Sequence, residues 1–354
     1  MNEREAKIRK LLAALTANPD DLRILNEGLH AAGHGLRRQI ETTPFPAVTD
    51  PERLASARTG IVLDSETEGL DPKQHRVIQL SMQKFLYDEQ GIISLGDFFD
   101  RYRDPGRPID PEITRITGIT DDMVKGQQLQ DQEISDWIAD ADRIVAHNAE
   151  FDRTMCEATF GGAGFDRKVW DCSLEQIDWA ARGEKGRSLE LLALHQGYVY
   201  QAHNAASDIR ATLFVLNAAP PEGGRTPFAE MLERGANDKI HVFADGSSYD
   251  AKDDLKADGY RWAPPDEPVM GKGKVWHKIF EATEENIEAQ RDLLRRVYRR
   301  DVSLPAFRFT GLERYSARRP VDQEPFKTAA PDTALKALEM MAREPEPAQP
   351  GFGF

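Results

Sequence analysis

The chain has 354 residues, enough for two domains with extensions, and its 40% apolar content supports a buried core. A net charge of −14 argues against a nucleic-acid coat protein, although local charge can still build a nucleic-acid site. The N-terminus, MNEREAKIRK, has no apolar signal core, and no run approaches the roughly 18 apolar residues of a membrane span. The two cysteines, Cys156 and Cys172, have no metal-ligand spacing, so a reduced, cytoplasmic setting without a membrane is expected.

Residues 1–52 read as a helical extension and linker. Ile8, Leu11, Leu12 and Leu15 share one helical face, Asn18-Pro19-Asp20-Asp21 reads as a stop and restart, and Leu22, Leu25 and Leu29 continue. Pro44, Pro46 and Pro51 mark the linker over 41–52. From 53 to 220 the pattern alternates. Strands at 60–64, 76–86 and 92–100 form a meander around the turn Asp88-Glu89-Gln90-Gly91. Helices follow near 111–126 and 132–140, then a short buried strand over 143–148 and a helix from Ala149. Val169-Trp170 suggests a last strand, and helices near 172–181, 188–196 and 204–217 close the domain. The expected class is α/β, a mixed sheet with helices on its faces. After a Pro/Gly break over 218–224, residues 225–319 read as a small α+β unit. Strands are expected at Ile240 to Ala244, 260–262 and 274–280, and helices at 251–258 and 283–300. Residues 320–354 are Pro-rich and read as a disordered tail with one short helical pattern, Thr333 to Arg343.

The chemistry starts at Asp64-Ser65-Glu66. On a strand, residues i and i+2 share a face, so the two carboxylates converge. Two like charges this close are costly without a cation between them. A strand that simply ends in polar residues is the plain alternative. Downstream, His147-Asn148-Ala149-Glu150-Phe151-Asp152 places Asp152 on the first turn of a helix that Asn148 is expected to cap. His203-Asn204-Ala205-Ala206-Ser207-Asp208 leads a His and an Asp into the last helix. Each stretch alone is also compatible with ordinary helix-end charge. His147 and Cys156 read as structural.

Together, D-x-E, then HNAxFD, then H-x4-D resembles the DEDDh (DnaQ-like) family of 3′–5′ exonucleases. Thr117-Gly118-Ile119-Thr120 and Ser188-Leu189-Glu190-Leu191 resemble that family too. The resemblance covers about 60–217 and implies a ribonuclease-H-like fold with a five-stranded mixed sheet. It further implies that Asp64, Glu66, Asp152 and Asp208 bind two Mg²⁺ or Mn²⁺ ions and that His203 is the general base. Four carboxylates suit two hard cations. Thr67, Leu70 and Phe151 are the implied contacts to the terminal nucleotide, Phe151 being equally readable as a core aromatic. Ser65, Glu68 and Thr117 depart from the commonest pattern, and Glu68 is expected to add negative charge beside the phosphate path. The implied partner is a nucleic acid with a free 3′ end. DNA is preferred. An RNA-trimming exoribonuclease, a polymerase-bound proofreading subunit and a non-catalytic binding module are the rivals.

Tyr249 to Pro264 and Lys274 to Phe280 resemble a small ExoX-like C-terminal domain. Its Trp262 and Trp276 are expected in the core, with Lys252, Lys256, Arg261, Lys272, Lys274 and Lys278 outside; stacking of these aromatics among cations against a single strand is the alternative. Arg291, Arg295 and Arg299 form a helical stripe. From 290 to 319, nine arginines face three acids, a local reversal that suits phosphates, with a solvated helix face or an intramolecular partner as the alternative. The N-terminal helices and the tail are left open to a protein partner.

Overall fold

The computed structural model describes residues 35–218, 224–263, 274–318 and 324–329, with scattered positions from 5 to 31. The N-terminal helices lie almost wholly outside the described residues, and the tail helix at 333–343 entirely so. The chain divides into two compact units. One is Met1–Ala236 with Arg314–Ala317, and the other is Asn237–Glu313 with Arg318–Phe354.

The first unit begins with β1 (Arg38–Gln39) and α1 (Pro51–Ala55), followed by the meander β2 (Arg58–Thr67), β3 (Val77–Asp88) and β4 (Gly91–Tyr102). Next come α2 (Pro111–Thr117), α3 (Asp121–Val124), α4 (Asp131–Ile138), β5 (Arg143–Ala146), α5 (Ala149–Thr159) and β6 (Val169–Cys172). The unit continues through α6 (Leu189–His195), β7 (Tyr198–Val199), α7 (Ala205–Leu216) and α8 (Pro227–Gly235). The main sheet has the order β4-β3-β2-β5-β6. β2 pairs antiparallel with β3 and parallel with β5, which makes the sheet mixed, as expected.

Alternation along β2 assigns its two faces. Ile61 and Leu63 join Ala149, Met155, Cys156 and Trp170 in one core. Val62 joins Leu192, Ile209, Leu213 and Phe228 in the other. The Asp88 carboxylate closes the β3–β4 turn by accepting the amides of Gln90 and Gly91, and Arg53 grips it at 2.6 and 2.8 Å. Gly60 is required here, because a Cβ would meet the Phe85 ring at 2.5 Å.

Four expectations are corrected. First, residues 173–181 form turns and bends after β6 rather than a helix. The Gln176 side chain accepts the Cys172 amide and donates to Asp171 and to the Met231 carbonyl, replacing a helical ladder with side-chain bonds. Second, the linker is bound into the unit: Phe45 packs edge-on against Phe214, and Ile40, just before the linker, is fully buried. Third, the unit boundary falls after Ala236, not at 220–225. The Phe228 ring lies 5.4 Å from Phe85 and 5.3 Å from Tyr87, so α8 completes the first core. Residues 314–317 belong to it as well. Buried Arg153 donates to the Arg314 carbonyl at 2.7 Å, Tyr315 to Gln176 at 2.9 Å, and Ser316 to Glu157 at 2.6 Å. Fourth, the tail does not begin at 320, as the second unit shows.

That unit contains β8 (Lys239–Phe243), α9 (Lys252–Ala257), β9 (Arg261–Ala263), β10 (Val275–Glu281) and α10 (Glu284–Tyr298). It ends with β11 (Ser303–Leu304), β12 (Ala306–Phe309) and β13 (Phe326–Lys327). The sheet order is β12-β8-β10-β9, and β13 pairs with β11. Phe326 is buried against Phe280, which holds β13 on the core.

Candidate active site and metal centre

Asp64 and Glu66 leave β2 on the Val62 face, where α7 packs. The first turn of α7 contributes Asp208, whose Oδ2 accepts the Asn204 amide at 3.0 Å. Asn204 also caps this helix through the Ser207 amide. One carboxylate oxygen from each of Asp64, Glu66 and Asp208 lies within 4.8 Å of the other two.

Asp152 reaches the strand from α5 by way of Ser65. Its Oδ1 accepts the Ser65 amide at 3.1 Å and the Ser65 hydroxyl at 2.7 Å. The serine between the two acids therefore orients the buried fourth carboxylate. Asn148 makes no side-chain capping bond to α5, contrary to expectation; its φ of −160° and ψ of 62° are not those of a cap.

The four acids strain against one another. Burial, then the charges of Asp152, Asp208 and Glu66, push Asp64 well above the usual carboxylate range. Burial, with Asp208 and Asp152, raises Glu66 to about 7. Burial raises Asp152 to about 7 against the opposing Ser65 bonds. Burial likewise raises Asp208 to about 6, opposed by the Tyr200 hydroxyl and the His203 charge. Converging hard oxygen donors whose ionised form is disfavoured fit a divalent-cation site.

His203 is exposed and precedes α7 in the left-handed region, with φ 60°. That conformation is uncommon outside glycine and persists only where neighbours enforce it. The Thr67 hydroxyl donates to the Gly69 carbonyl at 2.7 Å. Leu70 is 80% exposed, whereas Phe151 is half-buried against the core. Glu68 does not stand open beside a phosphate path. It is buried, bonded to Arg107 at 2.6 Å, and accepts the Arg76 amide. Cys156 is fully buried, and burial drives its thiol up, away from nucleophilic use. His147 is bonded at both ring nitrogens, to Ser173 and to the Arg187 carbonyl, and burial lowers it to about 4.

Sequence reasoning missed Tyr200, three residues before His203, whose hydroxyl beside Asp208 favours that carboxylate's ionised form; its aromatic neighbour Tyr198 was the only local hint. In the second unit the arginine stripe has other duties. Arg291 donates to the Lys327 carbonyl and pairs with Glu288. Arg295 bonds Asp292, Asp301 and the Thr328 carbonyl. Arg299 is exposed at the left-handed end of α10. Trp276 packs on the core as expected, but Trp262 is 54% exposed, with its ring 5.6 Å from Trp276.

A mixed five-stranded sheet with flanking helices and an acid cluster at the end of its first long strand defines the ribonuclease-H-like class. Residues 61–216 match the family model described as RNase_T, Exonuclease. A DNA polymerase III PolC-type protein of Listeria innocua is 35% identical over 189 residues, covering 51% of this chain and 13% of that protein. Its counterpart in Halalkalibacterium halodurans is 39% identical over 107 residues, 29% of this chain and 7% of that protein. The chain thus spans 13% or less of the length of these curated relatives. Among solved structures, Exonuclease X in complex with 5′ overhanging duplex DNA is 23% identical with a TM-score of 0.35, covering 48% of this chain and 99% of that one. The zinc-ion-bound E. coli ExoI–ssDNA complex is 15% identical with a TM-score of 0.40, covering 63% of each chain.

Among the described residues, no helix is long and apolar enough to cross a membrane.

Proposed function

We propose that the protein is a metal-dependent 3′–5′ exonuclease that removes nucleoside 5′-monophosphates from DNA. The observation that carries this reading is the convergence of Asp64, Glu66 and Asp208 within 4.8 Å, inside the segment that matches the exonuclease family model. Asp64, Glu66, Asp152 and Asp208 would hold two Mg²⁺ or Mn²⁺ ions, which supply charge neutralisation and Lewis-acid activation of the scissile phosphate when bound.

The chain's own residues do the rest. His203 accepts a proton from the attacking water as the water oxygen bonds to phosphorus. The bond from phosphorus to the 3′ oxygen of the penultimate sugar breaks. The phosphate leaves on the 5′ position of the released nucleotide, and the 3′ oxygen of the shortened strand takes a proton from solvent to become a new 3′ hydroxyl. The Asn204 amide orients Asp208, and Ser65 orients Asp152. Exposed Leu70, half-buried Phe151 and Thr67 line the approach of the terminal nucleotide. In the second unit, exposed Trp262 beside Trp276 supports a base-stacking surface for the strand.

The PolC-type relatives are named as DNA polymerases, which favours DNA and makes a proofreading role the second reading. The test uses 5′-labelled single-stranded DNA and RNA of one sequence, with Mg²⁺ or Mn²⁺, beside EDTA and His203→Ala controls. A ladder shrinking from the 3′ end on DNA, lost in both controls, is the expected result. The same ladder on RNA alone would overturn the substrate, and no metal-dependent shortening would overturn the enzyme.

A further inference from the structure

The segment just before α1, expected to be a plain linker, holds the turn that carries His203. β1 pairs parallel with β7, placing Arg38 opposite Tyr198 and Gln39 opposite Val199, and the Arg38 amide donates to the Gly197 carbonyl at 2.8 Å. Ile40 then enters the core, fully buried. The Arg210 guanidinium donates to the carbonyls of Ile40 at 2.8 Å and Thr43 at 2.5 Å while lying over the Phe214 ring. Between these anchors, the Glu41 carboxylate reaches the His203 turn. It accepts the Gln201 amide at 3.1 Å, two residues before His203. Gln39 braces the same carboxylate at 2.9 Å.

We propose that residues 38–43 are a positioning clamp for the base, in which Glu41 holds the Gln201 amide and so sets where His203 stands. The proposal rests on the exonuclease reading and deepens it. A left-handed His203 needs neighbours that over-determine its backbone. Gln201, two residues before His203, is the backbone position that Glu41 holds, and Glu41 makes no hydrogen bond to Asp64, Glu66, Asp152 or Asp208 among the described residues.

The experiment compares full-length wild type, Glu41→Ala, Glu41→Gln, His203→Ala and the Glu41→Ala/His203→Ala double variant. It measures steady-state release from single-stranded DNA in Mg²⁺. Glu41→Ala should lower kcat about tenfold, since small misplacement of a reacting group is costly, with KM nearly unchanged. Glu41→Gln, which still presents an oxygen to the Gln201 amide, should recover most of the loss. In the His203→Ala background the Glu41 change should add nothing. The His203 imidazole C–H resonance, assigned by its absence from His203→Ala, should move in Glu41→Ala and return in Glu41→Gln. An unmoved resonance, wild-type kcat in Glu41→Ala, or an equal fold-loss in both backgrounds would each overturn the clamp. An inactive wild type would instead overturn the exonuclease reading, and the resonance would still decide the clamp.

Discussion

Replacing Glu66 with Gln should stabilise the metal-free protein while destroying its activity. In the fold, burial and the charges of Asp208 and Asp152 raise Glu66 from its ordinary 4.5 to about 7. Below pH 4.5 the group is protonated both folded and unfolded, and no penalty exists. As pH rises through 7 the folded state must ionise it among like charges, and the stability present at low pH is lost. Above both values the loss is about 3 kcal/mol, at roughly 1.4 kcal/mol for each tenfold in proton affinity. Gln keeps the shape without the charge. In EDTA at pH 8, Glu66→Gln should therefore melt about 6–12 °C above wild type, at roughly 2–4 °C per kcal/mol for a unit of this size. At pH 4.5 the two should coincide. Adding Mg²⁺ at pH 8 should raise wild type more than the variant, because the cation stabilises a cluster that Gln has already relieved. Paired scanning calorimetry runs settle it. A variant no more stable than wild type at pH 8, or a gap equally large at pH 4.5, would show that the carboxylates are not in conflict and that the metal reading lacks its electrostatic basis.

Asp152→Asn should cut turnover by about 10²–10³-fold while strand binding, measured by anisotropy, persists; loss of both would point to misfolding, and loss of neither to a binding module. Ser65→Ala removes the 2.7 Å bond to Asp152 and should lower activity about tenfold or more with weaker metal affinity, as supporting partners do at metal sites; metal titration of activity checks it. Phe228→Ala should destabilise the exonuclease unit by about 3–5 kcal/mol in urea melts, since its ring completes the core with Phe85 and Tyr87; a mild effect would return α8 to the linker. Trp262→Ala should raise KM for single-stranded DNA with kcat unchanged, by the roughly 1–3 kcal/mol that base stacking on an aromatic contributes; an unchanged KM would remove the second unit from substrate holding.

What the sequence revealed and what it hid divide along one physical line. Asp64 and Glu66 were legible because strand period 2 is a local rule, and Asp208 because a helix start is one too. The main strands were legible for the same reason. Contacts that close over distance were not. Ser65 looked like a departure from a family pattern, yet its partner Asp152 lies 87 residues on, and only the fold brings them to 2.7 Å. The arginine stripe had the right period, but period says nothing of what meets the stripe. The Lys327 and Thr328 carbonyls, across a Pro-rich stretch read as tail, meet it. Proline misled twice in the same way. It marked 41–52 and 320 onward as breaks in helix and strand, which they are. A break in regular structure is not a break in packing: Phe45 and Phe326, one in each stretch, pack on a core. The clamp at Glu41 follows from this distinction. An irregular segment cannot satisfy its backbone through a ladder of its own, so its polar groups and those of the turn beside it must find each other. Here they meet around the residue expected to take the proton.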